Sequence, residues 1–285
     1  MTLDSWLEVA DEVFVRSYDH LDINICVVRG GEELLVVDSR SSPVEAAELV
    51  ADLEAFAPAR VHVLVNTHAH FDHTFGNQQF GPDSTTPVAI IGHHRLPAHL
   101  DRYERPRLAA WRAGGGEEPA RDWEEVQITP PTQLVGARQP LQIGHRTVDL
   151  QPLSPGHTDT DLVVQVPDAC SWIVGDVVEA SGPPMYGSGC FPLQHPDQLG
   201  SLLAQLRDDD VIVPGHGPLV DRAFVEDQLA EVVRLAEQLR LAHRAGETVE
   251  QALADNARWP FPVDGLGLAV RRAYKFLDHE PDPSP

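Results

Sequence analysis

Residues 66–73 read Asn-Thr-His-Ala-His-Phe-Asp-His, which crowds three imidazoles and a carboxylate into six positions. Imidazole and carboxylate are the ordinary ligands of zinc and related divalent metals. His68 and His70 lie two apart, so an extended stretch or tight loop turns both the same way. Asp72 and His73 follow where a loop can aim them at a second ion. This is not the helical H-E-x-x-H arrangement, whose histidines lie four apart. Three more candidates each follow a glycine directly: His157 in Ser-Pro-Gly-His-Thr, Asp176 in Ile-Val-Gly-Asp and His216 in Val-Pro-Gly-His-Gly. Glycine allows unusual backbone angles and close approach. Taken singly, each of these is equally well a satisfied turn residue. Their occurrence together, in order after the histidine cluster, points to one metal site.

Such a site needs strands to end beside one another. Residues 13–16, 23–29 and 34–38 are β-rich runs, with Gly30-Gly31 as a hairpin turn between the last two. Ser42-Pro43 opens a helix over 44–56, and the apolar run 61–66 ends on the histidine cluster. A strand is expected over 87–92, then a polar, helical excursion over 95–113 and a flexible loop over 114–119. Strands at 147–153, 161–166 and 171–174, a helix at 196–206 and a strand at 211–213 repeat the pattern. The apolar stripe of Val225, Leu229, Val232, Val233 and Ala236 predicts a helix over 222–245. Thr248 and Gln251 have capping-box spacing, and a last helix covers 267–277. Strands followed by a helix, twice over, imply an α/β fold of two packed sheets with helices outside. No linker divides the chain, so residues 1–285 read as one domain, with a core over about 13–219 and C-terminal helices over about 222–278.

The 285 residues hold 44 acidic and 21 basic side chains, a net charge of −23, which disfavours nucleic acid and anionic membranes as partners. Neither a membrane span nor a secretory leader is readable, so the expected location is cytoplasmic and the expected partner a small-molecule substrate. The sequence leaves the oligomeric state open. Three widely spaced cysteines, Cys26, Cys170 and Cys190, read as free thiols.

Over residues 13–219 the order of these motifs resembles that of the metallo-β-lactamase superfamily. The resemblance implies a four-layer αββα sandwich of two mixed sheets flanked by helices. It implies that His68, His70 and His157 hold one metal, that Asp72, His73 and His216 hold a second, and that Asp176 bridges them. Asp38, ending Leu-Leu-Val-Val-Asp, matches the family's first motif and by that likeness supports the ligand loop. The cofactor expected is two Zn²⁺ per chain, with iron or manganese as the other choices. A hydroxide between two such ions is a nucleophile at neutral pH, and Asp72 is placed to aim it, which makes Asp72 the expected catalytic side chain.

The reaction so implied is attack on a carbonyl of a thioester, ester, lactone or related amide. Aspartate at 176 matches thioester hydrolases of the glyoxalase II type, whereas β-lactamases generally carry cysteine or serine there, so a β-lactamase ranks lower. The competing reading is a persulfide dioxygenase with one non-haem iron on His68, His157 and Asp176. His93, His94 and His99 read as surface residues. Trp111 and Trp123 read equally as an apolar pocket wall or as core, and the 181–194 loop after Asp176 reads as another wall. Arg271, Arg272 and Lys275 read as a solvated helix face, with a grip on an anionic substrate as the alternative.

Overall fold

The computed structural model describes residues 5–19, 21–56, 58–115, 123–187 and 189–279. Most of the loop expected at 114–119 therefore lies outside the described residues. The first sheet runs β1 (Leu7–Ala10), β2 (Val13–Tyr18), β3 (Ile23–Gly30), β4 (Glu33–Val37), β5 (Arg60–Val65), β6 (Ala89–His93) and β7 (Gln133–Val135) in spatial order. Its first four strands pair antiparallel, and β4 to β7 pair parallel. The second sheet holds β8 (Gln139–Ile143), β9 (Arg146–Pro152), β10 (Leu162–Val166), β11 (Ser171–Gly175) and β12 (Val211–Pro214), in the order β12-β11-β10-β9-β8. There only β11 and β12 are parallel.

The helices are α1 (Pro43–Phe56), the single turn α2 (Phe71–Thr74), α3 (Leu96–His99), α4 (Arg105–Arg112), α5 (His195–Leu203), α6 (Arg222–Arg244), α7 (Val249–Ala254) and α8 (Gly267–Leu277). A π-helical turn, Leu100–Glu104, joins α3 to α4. Ser42 accepts a hydrogen bond from Glu45 N–H at the start of α1, with Pro43 at the position where a missing donor costs nothing. Asp221 caps α6 on Phe224 N–H, and the Thr248–Gln251 capping box is fully formed.

Layering follows from which face each side chain takes. Val15, Val28, Leu35 and Val65 of the first sheet pack against Val148, Val164, Ile173 and Val213 of the second. The alternate residues Ile25, Val36 and Leu64 pack on Ala46, Leu49 and Leu53 of α1. On the far side, Trp172, Val174 and Ile212 pack under α5 to α8. The result is the expected four layers, with two mixed sheets inside. Strands β1, β7 and β8 went unread in the sequence because they are short and largely exposed or polar. Cys26, Cys170 and Cys190 are free thiols. Among the described residues no helix is long and apolar enough to cross a membrane.

Candidate metal centre

Every candidate ligand sits just beyond the C-terminal end of a strand. His68, His70, Asp72 and His73 follow β5, His157 follows β9, Asp176 follows β11 and His216 follows β12. Strands β9 and β11 are both antiparallel to β10, so they end at the same rim of their sheet. Asn24 N–H donates to Gly215 O at 2.8 Å, which joins the start of β3 to the end of β12 beneath that rim. Its side-chain amide also donates to the carbonyls of Pro214 and Gly217. Two glycines are required by geometry. Gly175 has φ +56°, and a Cβ there would press on the Thr67 side chain. A Cβ on Gly215 would lie 1.9 Å from Asp176 Oδ1.

The ring nitrogens His68 Nε2, His70 Nδ1 and His157 Nε2 lie 3.0, 3.0 and 3.3 Å from one another. Asp176 Oδ2 adds a fourth donor, 3.7 Å from His68 Nε2 and 3.5 Å from His157 Nε2. In the adjacent group, His73 Nε2 and His216 Nε2 are 3.3 Å apart, and Asp72 Oδ2 is 3.6 and 3.2 Å from them. Asp176 reaches this group too, with Oδ1 3.2 Å from His73 Nε2 and Oδ2 3.5 Å from His216 Nε2. The site therefore brings together all seven residues singled out in the sequence.

Tautomers are fixed from behind. His73 Nδ1 donates to Asp38 Oδ2 at 2.7 Å and His216 Nδ1 donates to Leu21 O at 2.8 Å. Thr67 gives its hydroxyl proton to Asp38 Oδ2 at 2.8 Å, so its oxygen accepts from His68 Nδ1 at 3.1 Å. Each of these three rings then turns Nε2 toward the centre, where a bound cation would take its lone pair. Asp38 also accepts from Thr67 N–H and has φ +68°, a left-handed strain that the surrounding bonds hold in place.

Burial pulls His68 and His70 well below the usual imidazole range, aided at His68 by the neighbouring His73 and at His70 by His157. Burial acts the same way on His73 and His216, but the carboxylates of Asp176 and Asp72 outweigh it and hold both above that range. Burial would raise Asp72 and Asp176, yet the facing histidines bring both below the ordinary carboxylate range.

The donor set fits divalent cations on three observations. Nitrogens held on metal–nitrogen bonds of about 2.0–2.1 Å in a tetrahedron lie about 3.3 Å apart, close to the spacings above. Asp176 Oδ1 is buried and makes no hydrogen bond. The carboxylate field that raises His73 and His216 is one that a cation relieves. Two groups that can each hold an ion are thus His68, His70, His157 and Asp176, and Asp72, His73 and His216.

Several supports were not legible. Asn66 and Asn77 exchange side-chain amide bonds at 3.0 and 2.8 Å, and Asn66 also donates to His73 O, closing the ligand loop. Gln198 of α5 accepts from His157 N–H and donates to Asp161, which in turn holds Thr158. Glu179 lies with Asp176 and His216 in a further acidic group, and burial raises its carboxyl.

The expectation that His93 and His99 lie on the surface is corrected: they are 3% and 2% exposed, and only His94 is exposed. His93 ends β6 inside the fold. His99 is turned inward by α3, donates from Nδ1 to Asp159 Oδ1 at 2.6 Å, and lies 6.2 Å ring to ring from His70. Glu104, fully buried in the π-helical turn, is pushed by burial up to about 7. Trp111 and Trp123 stack 4.6 Å apart against Phe71, buttressing the ligand helix α2. Arg271 is exposed as expected, but Arg272 is drawn in to Cys190 O and Tyr103 Oη.

The sequence profile of the metallo-beta-lactamase superfamily matches residues 18–216. A human protein, acyl-coenzyme A thioesterase MBLAC2, is 30% identical over 169 residues, which cover 54% of this chain and 58% of that one. The chain thus spans a little over half the length of that relative. Among solved structures, the inverting sec-alkylsulfatase Pisa1 from Pseudomonas sp. superposes with a TM-score of 0.74 at 15% identity, covering 99% of this chain and 52% of that one. A metallo-beta-lactamase from Pontibacter korlensis gives a TM-score of 0.59 at 18% identity, covering 80% and 98%. At such identities the structural likeness is one of fold.

Proposed function

The chain belongs to the metallo-beta-lactamase superfamily, and from that premise we propose that it is a hydrolase acting on a small-molecule carbonyl, thioesters first, with two divalent ions, zinc foremost. The observation that carries this reading is the pair of adjacent donor groups sharing Asp176. His68, His70 and His157 would hold one ion, Asp72, His73 and His216 the other, and Asp176 both. Ions held there supply a nucleophile at neutral pH by acidifying water, and they polarise the carbonyl oxygen. Asp72 orients that nucleophile by accepting its hydrogen bond at a carboxylate oxygen and can take its proton. The His73–Asp38 and His216–Leu21 bonds keep both imidazoles from rotating as charge moves through the site. Phe71, beside His70, contributes an apolar surface near the ligand loop.

Thioesters rank ahead of other carbonyls on two grounds: aspartate at 176 and the likeness to a protein named as a thioesterase. A single-iron dioxygenase would leave the second group, with both Nε2 atoms propped inward, without a purpose. The decisive experiment is elemental analysis of gently purified protein followed by a panel of thioesters, esters, lactones and β-lactams. Close to two equivalents of divalent metal and chelator-sensitive thioester turnover are expected. One tightly held iron with oxygen uptake on a persulfide would overturn the proposal, and β-lactam turnover above about 10⁴ M⁻¹s⁻¹ without thioester turnover would reverse the substrate order.

A further inference from the structure

Beside the candidate metal centre lies a cleft of about 390 Å³, within the size range of small-molecule sites. Its walls come from the π-helical turn (Arg102 and Tyr103), from the loop downstream of Asp176 (Phe191) and from α8 (Arg272, Lys275 and Phe276). Acidic residues outnumber basic ones 44 to 21 in this chain, yet three of the lining residues are permanent cations and none is a carboxylate. A concentration of positive charge inside so acidic a protein creates a local field that selects anions.

One of these cations, Arg272, is held firmly in place. It donates from Nε to Cys190 O at 3.0 Å and from Nη1 to Tyr103 Oη at 3.1 Å, bonds that engage two of the five N–H groups of a guanidinium. Its Cζ also lies 5.2 Å from the Phe191 ring and 5.5 Å from the Tyr103 ring. A planar cation held in this way has lost its rotamer freedom before any ligand arrives, so less is lost on binding. Tyr103, Phe191 and Phe276 supply flat apolar surface beside these charges. A ligand that answers both features carries phosphates and an aromatic base. The Tyr103 ring is 4.7 Å from His99, which is 6.2 Å from His70, so the cleft opens two ring contacts from the ligand cluster.

Resting on the thioesterase reading above, we infer that this cleft holds the adenosine phosphate end of a coenzyme A thioester. The flexible arm that joins nucleotide to sulfur then runs past Tyr103 and His99 and presents the carbonyl to the metal centre. Binding energy gathered at the nucleotide, far from the reacting atoms, positions the thioester there.

Calorimetry of the metal-loaded full-length protein with adenosine 3′,5′-bisphosphate tests this. One equivalent is expected to bind, and Arg102→Ala and Lys275→Ala are each expected to weaken it about tenfold, the effect of losing one charge-assisted contact. Arg271→Ala, exposed on the same helix and outside the cleft, should bind as the wild type does. KM for an acyl-coenzyme A should fall about tenfold or more below that for the matching acyl-pantetheine. Absence of nucleotide binding, or binding indifferent to both substitutions, overturns the inference; equal turnover of the two thioesters in that case leaves the thioesterase reading standing. Nucleotide binding without turnover of either thioester keeps the occupant of the cleft and overturns the thioesterase reading instead.

Discussion

The two donor groups lie side by side but are made of different material. The first gathers three imidazole nitrogens, His68 Nε2, His70 Nδ1 and His157 Nε2, and burial keeps the rings of His68 and His70 neutral. The second sets His73 and His216 against Asp72 and Asp176, and those carboxylates hold the two rings above their usual range. Their supports differ as well. Asp38 grips His73 directly at 2.7 Å, whereas it reaches His68 only through the Thr67 hydroxyl. Negative charge is concentrated in the second group and at Asp176 between the two. Two neighbouring cations repel each other, and a carboxylate between them lowers that cost where it is greatest. The histidine-rich group gains its hold from directed lone pairs, the acidic group from field as well as geometry.

Asp176→Ala should therefore have the largest effect. Both metal equivalents should be lost together, with a fall in thioester turnover well beyond the 10–100-fold typical of losing an outer-shell partner. Retention of one full equivalent by this variant, measured by elemental analysis after dialysis, would break the idea that Asp176 serves both groups. Next in size come the single histidines. His157→Ala should empty the first position and spare the second, and His216→Ala should do the reverse. Cobalt substitution with optical spectroscopy separates the two positions by their ligand fields. If both variants lost the same ion, the division into two groups would fail.

Much of this arrangement was legible because each half announces itself differently. Residues 68–73 lie together in the sequence, so they stand out at once as a candidate ligand cluster, while His157, Asp176 and His216 were picked out as candidates through the glycine before each. The sheets were readable where strands are buried on both faces, as in Val63, Leu64 and Val65. Contacts made across the chain were not. Asn24 holds the Gly215 turn from the other sheet, and Gln198 holds His157 from a helix; nothing in either residue's local sequence marks the role. His99 and Glu104 sit in a stretch whose polar composition suggested a surface. The π-helical turn after α3 departs from the 3.6-residue period on which such a reading depends.

Asp38→Asn comes third, and it tests the difference in support. The substitution keeps size but removes the carboxylate that accepts from His73 Nδ1, Thr67 N–H and the Thr67 hydroxyl. Metal affinity should fall about 10–100-fold at the second position, where the contact is direct. The first position should lose less, because the hydroxyl of Thr67 can find another acceptor. Titration with a competing chelator, following both equivalents, measures the two losses. Equal losses would mean that Asp38 acts on the loop as a whole rather than on one imidazole.

Thr67→Val is the smallest expected effect and the most selective. Valine has nearly the shape of threonine, so the contact with Gly175 survives, but His68 Nδ1 loses its acceptor. A net hydrogen bond of this kind is worth about 1 kcal/mol, which corresponds to roughly fivefold in affinity at the first position. The second position should be nearly unchanged, since His73 keeps its own bond to Asp38. Asp38 Oδ2 still accepts from His73 Nδ1 after the hydroxyl is gone, so no carboxylate oxygen is stranded and the fold should remain intact. Thr67→Ser restores the hydroxyl and should restore the affinity, which a mere loss of packing would not allow. Chelator titration of the three proteins reads this directly. A loss shared equally between the positions, or one that serine fails to rescue, would show that the Asp38–Thr67–His68 chain does not set the first imidazole, and the contrast between direct and relayed support would have to be given up.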